Sequence, residues 1–279
     1  MPILPVILWT DALVYLLVAT VAGFVWYVRR HEHLRAPWWR VAQTPAAMSA
    51  LVVLTVFILI GLLDSLHFRL ALPAAPATQA GRAAPRDVAY AVDVKSALDL
   101  LLSSIANKPE RTYSAPLATH AYAKETVEAQ GEGGKPGKQV RDYPRLRYGG
   151  AHLQDPLRDW QADVLLTAFR GMALALPLWL LLSLMLVAAC TPAERVASRD
   201  FWQSVWRGKT EVPWRAILIA LALLMLVGAP MVLLSAHYHV LGTDKVGLDV
   251  LYQSLKSVRT ALVIGTLTTL VMLPFSVLL

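Results

Sequence analysis

Residues 214–235 read WRAILIALALLMLVGAPMVLLS and carry one charged side chain, Arg215. A bilayer core of about 30 Å is crossed by roughly 20 mostly apolar residues in helix, so this stretch decides the fold class: helical and membrane-embedded. The rest of the chain agrees. Of its 279 residues, 56% are hydrophobic and 16% charged, and the mean hydropathy of +0.50 lies outside the soluble range for that length. Four more stretches, at about 5–28, 46–67, 168–190 and 257–279, meet the same requirement. The expected fold is an all-α integral membrane protein with about five transmembrane helices. The first stretch has no Lys or Arg before its apolar run and ends in Trp26-Tyr27-Val28-Arg29-Arg30, so it reads as a retained span, not a signal peptide.

A net charge of +7 and a pI near 9.6 raise the question of nucleic acid. The chain has no basic run of five residues and no zinc-ligand spacing, so nucleic acid is not expected as a partner. The basic side chains read instead as topology signals. Arg29, Arg30, Arg35 and Arg40 lie in the 29–45 loop, and Arg195, Arg199, Arg207 and Lys209 in the 191–213 loop, which places both loops in the cytoplasm. Trp26, Trp38, Trp39, Trp202, Trp206 and Trp214 fall at that same interface, where an indole is well placed. The N-terminus, residues 68–167 and the 236–256 loop are then outside.

Four regions follow: two spans in 1–69, an outer domain in 70–167, the third span with a cytoplasmic loop in 168–213, and two spans with the loop between them in 214–279. In the outer domain, LPAAPATQAGRAAPRD (72–87) reads as an extended linker and GEGGKPGKQ (131–139) as a loop. Between them Val94, Ala97, Leu98, Leu101, Leu102 and Ile105 form a helical stripe, so a mainly helical or irregular cap is expected. A helix over 155–166, with Asp155 as N-cap and Pro156 at its first position, leads into the third span.

No ionisable group sits in the middle of a span. Asp11, Asp64 and Arg170 fall near the outer ends of helices, where water or headgroups are expected to solvate them; an Asp64–Arg170 pair is the alternative. The lone cysteine, Cys190, reads as a packing residue. His120, His152, His237 and His239 lack the i, i+4 spacing with a Glu of a helical zinc site, and no metal or cofactor is expected. Nucleophile elbows, Walker motifs and dinucleotide loops are absent from the sequence, so no catalytic residues are assigned. In the last span Gly265, Thr266, Thr268 and Thr269 give a small-residue face suited to packing in a bundle, with Pro274 near its inner end.

The apolar run 214–235 is followed by AHYHVLGTDKVGLDVLYQSL (236–255). Gly242 permits a tight turn, Thr243 or Asp244 suits a helix N-cap, and Leu248, Leu251 and Leu255 recur at helical spacing, so a short amphipathic helix on the outer interface is expected. The ordered set His239, Leu241, Gly242, Thr243, Asp244, Gly247, Asp249, Val250 and Arg259 goes beyond that. It resembles the start of the permease domain of dipeptide/oligopeptide-type ABC importers, in the C-type membrane subunit, where an outgoing helix is followed by H-x-L-G-T-D-x-x-G-R-D-V and a G-x-R-x-S-L entry to the next helix. RTYSAPLATHAYAKE (111–125) is similar to the insertion of peptide permeases of that class. The sequence departs from the pattern at Leu248, where the family has arginine, and at Ser257, where it has glycine.

The resemblance implies Gly242, Thr243, Asp244, Gly247, Asp249 and Arg259 as motif residues of a periplasmic loop. It implies a permease working by alternating access with a second permease subunit, cytoplasmic ATPase subunits, a periplasmic solute-binding protein and membrane lipid, the chain itself hydrolysing nothing. Family members continue through further helices and an E-A-A loop, so the chain is expected to be the N-terminal part of a longer permease or a split subunit. The competing expectation is a membrane-anchored sensor or assembly factor whose working part is residues 70–167.

Overall fold

The structure, a computed structural model, describes residues 3–71, 90–128, 139–192, 196 and 198–278. The expected linker 72–87 and most of the expected loop 131–139 lie outside them. Two compact units are present: residues 1–31, 57–103 and 255–279 form the first, and 32–56 with 104–254 the second.

In the first unit a short strand β1 (Ile3–Val6) precedes helix α1 (Trp9–Arg30). The helix thus begins later than the apolar run suggests, because Ile3–Val6 pairs antiparallel with β2 (His67–Leu70), which follows helix α3 (Pro45–Ser65). A third strand, β3 (Lys95–Ser96), completes the order β1-β2-β3. Helix α4 (Ala97–Leu101) follows at once, started by a reciprocal cap: Ser96 Oγ accepts the Asp99 N–H (3.1 Å) and Asp99 Oδ2 accepts the Ser96 N–H (2.9 Å). The expected helical stripe over 93–108 is therefore broken into a strand, α4 and a single turn, α5 (Ser103–Ala106). Of its apolar residues, Leu98 is buried in the first unit and Ile105 in the second, while Leu101 is exposed.

Most of helix α9 (Val250–Leu278), from Leu255 on, also belongs to the first unit. It approaches α3 closely at Gly61, where an added Cβ would lie 2.7 Å from Leu262 Cδ1. Farther along, Ile264, Leu267, Val271, Met272 and Phe275 remain exposed. Of the packing face expected of this span, Gly265, Thr268 and Thr269 are exposed and Thr266 is half-buried near Leu13, Leu16 and Thr20 of α1. The hydroxyls of Thr266, Thr268 and Thr269 donate to carbonyls of their own helix, which satisfies them without a neighbour.

The second unit contains helix α2 (Glu32–Ala42), the hairpin β4–β5 (Glu125–Glu128, Gln139–Asp142), and helices α6 (Pro156–Cys190), α7 (Arg199–Arg207) and α8 (Trp214–Ser235). Helix α2 was not anticipated within the 29–45 loop. The expected helix over 155–166 is present, continuous with the third span. Pro156 opens it as expected, while Asp155 contributes its carbonyl, to the N–H groups of Arg158 and Asp159, and makes no side-chain cap.

Helices α6 and α8 pack antiparallel. Gly171 lies against the backbone of Pro230, where a Cβ would come within 2.6 Å of Pro230 Cα, and Trp179 Nε1 donates to the Leu218 carbonyl (3.0 Å). A glycine at such a crossing lets two membrane helices approach closely. At the α7 end, Val187, Val205, Trp214, Ile217 and Leu218 form a buried apolar cluster. At the other end Lys108 meets the Ser235 and Ala236 carbonyls, and the Gly150 N–H donates to the His237 carbonyl.

Among the described residues, four helices are long and apolar enough to cross a membrane: α1, α3, α6 and α8. The fifth expected span, 257–279, falls within the continuous helix α9 as far as Leu278, the last described residue.

Candidate functional site

The loop after α8 is a folded bracket, and its motif residues make it one. The carbonyl of His239 accepts the N–H groups of Gly242 (3.0 Å) and Leu117 (2.9 Å), which turns the chain and fastens it to the 108–121 segment. Gly242 has φ +77°, and an added Cβ would overlap the Ser114 carbonyl. Thr243 donates its hydroxyl to the Thr112 carbonyl (2.8 Å) and shares a hydrogen bond with the Ser114 hydroxyl (3.0 Å). Gly247 has φ +82° and stands against Glu110: its carbonyl accepts the Glu110 N–H (2.8 Å), and a Cβ there would collide with the Glu110 carbonyl oxygen. Both glycines are required twice, by a left-handed backbone and by the lack of room for a side chain.

The two aspartates have different tasks. Asp244 ties the turn together: Oδ1 accepts the N–H groups of Val246 and Leu248 (both 2.9 Å), and Oδ2 accepts from Gln253 Nε2 (2.6 Å). The Gln253 and backbone donors hold its carboxyl below the ordinary aspartate value. Asp249 caps α9, with Oδ1 accepting the N–H groups of Leu251 (2.8 Å) and Tyr252 (3.2 Å). The cap expected at Thr243 or Asp244 therefore sits at Asp249. The short interfacial helix expected over this stretch is not formed: turns run to Asp249, and Leu251 and Leu255 belong to α9 itself.

Behind the bracket lies a buried charged group that sequence reasoning missed. His239, 2% exposed, places Nδ1 2.7 Å from Asp249 Oδ2 and Nε2 3.5 Å from Glu110 Oε1. Burial alone would lower the imidazole pKa; contacts with the Asp249 and Glu110 carboxylates override it and raise it to about 9. Glu110 also accepts the N–H groups of Tyr148 (2.6 Å) and Arg147 (3.0 Å). Burial would raise its pKa, but His239 and these backbone donors bring it below the usual value. Lys108 donates to the Ala236 (2.6 Å) and Ser235 (3.3 Å) carbonyls, so the 104–155 segment supplies the cap for the end of α8. Glu110 and Lys108 have no local signal, since His239 and the carbonyls at the end of α8 that they meet lie more than a hundred residues away in sequence.

His237 and His239 do not face the same way: His237 is exposed and stacks near His152, with ring centroids 4.6 Å apart, while His239 is buried. His152 Nε2 and the Tyr238 hydroxyl both reach Asp163 Oδ2, at 2.9 and 2.7 Å. Burial and the Asp163 carboxylate hold the Tyr238 hydroxyl above the ordinary tyrosine pKa. No cluster of three or more His, Cys, Asp or Glu suited to a metal ion occurs among the described residues.

Arg259, the remaining motif residue, belongs to the first unit and to another cluster. Its Nη1 reaches Asp11 Oδ1 (3.1 Å) and its Nε reaches Asp64 Oδ2 (3.5 Å). Asp11 Oδ2 also accepts from His67 Nδ1 (2.9 Å), and Asp64 Oδ1 accepts from Ser96 Oγ (2.9 Å). Lys256, one turn before Arg259, pairs with Asp99 (2.8 Å) and stands 3.8 Å from Asp64. Asp11 and Asp64 are 0% and 2% exposed, so the expectation that they sit solvated at helix ends is corrected: they are buried and paired, because α9 brings two cations to the place where α1 begins and α3 ends. Asp64 finds its partner in Arg259, not in Arg170.

The fold and these clusters define a helical membrane protein with a buried ionic cluster in each of its two units. Comparison with known families, curated proteins and solved structures finds no match.

Proposed function

We propose that the chain is a membrane subunit, or the leading part of one, of an ABC-type importer for peptides or related solutes in a bacterial inner membrane. The reading rests on the ordered motif that resembles the start of such permease domains. One structural observation supports it: Gly242, Thr243, Asp244, Gly247 and Asp249 are each used, and together fix how one apolar helix hands over to the next. In this reading the bracket faces the periplasm, where a solute-binding protein docks. A second permease subunit completes the pathway, and separate cytoplasmic ATPase subunits rock the pair between outward and inward states. A solute can drive that change only by binding the two states differently. The chain performs no chemistry itself.

Purification of the tagged chain from its native membrane in mild detergent tests the partnership. A stoichiometric cytoplasmic subunit with ATP-hydrolysing activity is expected. Recovery of the chain without any ATPase, or bound through residues 70–167 to a signalling or assembly protein, would replace this reading with that of a membrane-anchored sensor or assembly factor.

A further inference from the structure

We infer that helix α2 is a membrane-surface anchor that binds anionic lipid headgroups. None of its eleven residues, Glu32–Ala42, is buried, and Pro37 stands in its interior. An isolated helix of this length is marginal in water, and an interior proline removes one of its hydrogen bonds. Such a helix needs a surface to lie on. Only Gln43 and Thr44 separate it from α3, which has the length and composition of a membrane span, so α2 is tethered at the level of the headgroups.

Its sequence fits that surface. Leu34, Trp38 and Val41, spaced i, i+4 and i+7, share one face, with Trp38 54% and Val41 49% exposed. Arg35 flanks that face on one side and Arg40 on the other, both exposed. This is the arrangement in which an apolar stripe enters the acyl boundary while the guanidinium groups reach back to phosphates. The one acidic residue of the helix, Glu32, occupies the first turn, where the helix N-terminus accommodates a carboxylate. Basic side chains beside a span are drawn to anionic lipid. The inference depends on the membrane assignment and is independent of the proposed transport role.

The test is amide hydrogen exchange of the full chain in nanodiscs of phosphatidylcholine, alone or mixed with phosphatidylglycerol. Residues 32–42 should exchange at least about tenfold more slowly in the mixed discs. The R35Q/R40Q variant should lose that difference, and R35K/R40K should keep it. Unchanged protection of α3 would show that each variant is folded. Equal exchange of 32–42 in the two lipids, or a lipid effect that survives in R35Q/R40Q, would overturn the proposal.

Discussion

His239 Nδ1 lies 2.7 Å from Asp249 Oδ2, and through this contact the chain leaving α8 is bound to the residue that caps α9. Raised to about 9, the imidazole of His239 is protonated at neutral pH between two carboxylates. Its pKa in the unfolded chain is about 6.5. The stability it contributes is therefore fully present below about pH 6.5 and is lost as pH rises through about 9. Thermal unfolding in detergent, followed from about pH 6 to about pH 10, should show Tm falling across that window and levelling off above about 9. H239Q should be less stable by on the order of 2 kcal/mol at neutral pH and should lose that alkaline fall. An identical pH profile in H239Q would show that another group titrates.

The glycines of the bracket make a graded prediction. Gly247 and Gly208, the latter at the end of α7 and outside the bracket, both have positive φ, at +82° and +69°, but a Cβ at Gly247 collides with the Glu110 carbonyl oxygen while no described atom lies within 4 Å at Gly208. G208A should cost about 1 kcal/mol, the left-handed backbone penalty alone. G247A should cost clearly more, roughly 3 kcal/mol, because backbone must move as well. Equal Tm shifts for the two variants would mean that the close approach to Glu110 contributes nothing.

Arg259 is the shared partner of two buried carboxylates, through Nη1 to Asp11 and Nε to Asp64. R259Q removes the guanidinium from both, leaving Asp11 its His67 contact and Asp64 its Lys256 contact at 3.8 Å, and should destabilise by roughly 3 kcal/mol. R259K keeps the charge but cannot span both partners, so it should fall between R259Q and the parent chain. Adding D11N to R259Q removes one stranded charge and should recover part of the loss. Strict additivity of the two substitutions would argue against a coupled cluster.

The fold was largely legible because apolar length is a local property. Four of the five expected spans recur as helices of spanning length, and the fifth lies within α9. The ends were less legible. Ile3–Val6 is as apolar as the helix it precedes, and only pairing with His67–Leu70, more than sixty residues on, makes it a strand. Asp11 and Asp64 looked like solvated termini for the same reason: their cations, Lys256 and Arg259, come from the far end of the chain. The spacing of Gly242, Thr243, Asp244, Gly247 and Asp249 singled out this loop, and each of them makes a close contact or hydrogen bond in it. It could not reveal Glu110 or Lys108, which act on that loop from across the sequence.

Topology offers an independent check. With Cys190 replaced by serine, cysteines at the exposed positions Lys245 and Lys209 should divide cleanly between the two sides of the membrane. A membrane-impermeant maleimide applied to spheroplasts should modify K245C and leave K209C untouched until the membrane is permeabilised. Labelling of K245C only after permeabilisation would invert the orientation given by the basic loops.

Energised uptake tests the proposed role most directly. Cells with and without the gene are given a mixture of labelled short peptides, and accumulation is measured after the proton gradient is collapsed while ATP is maintained. Uptake that depends on the gene, survives the uncoupler and stops when ATP is depleted is the expected result. Accumulation that is indifferent to the gene, or that disappears with the proton gradient while ATP remains high, would contradict an ATP-driven peptide importer.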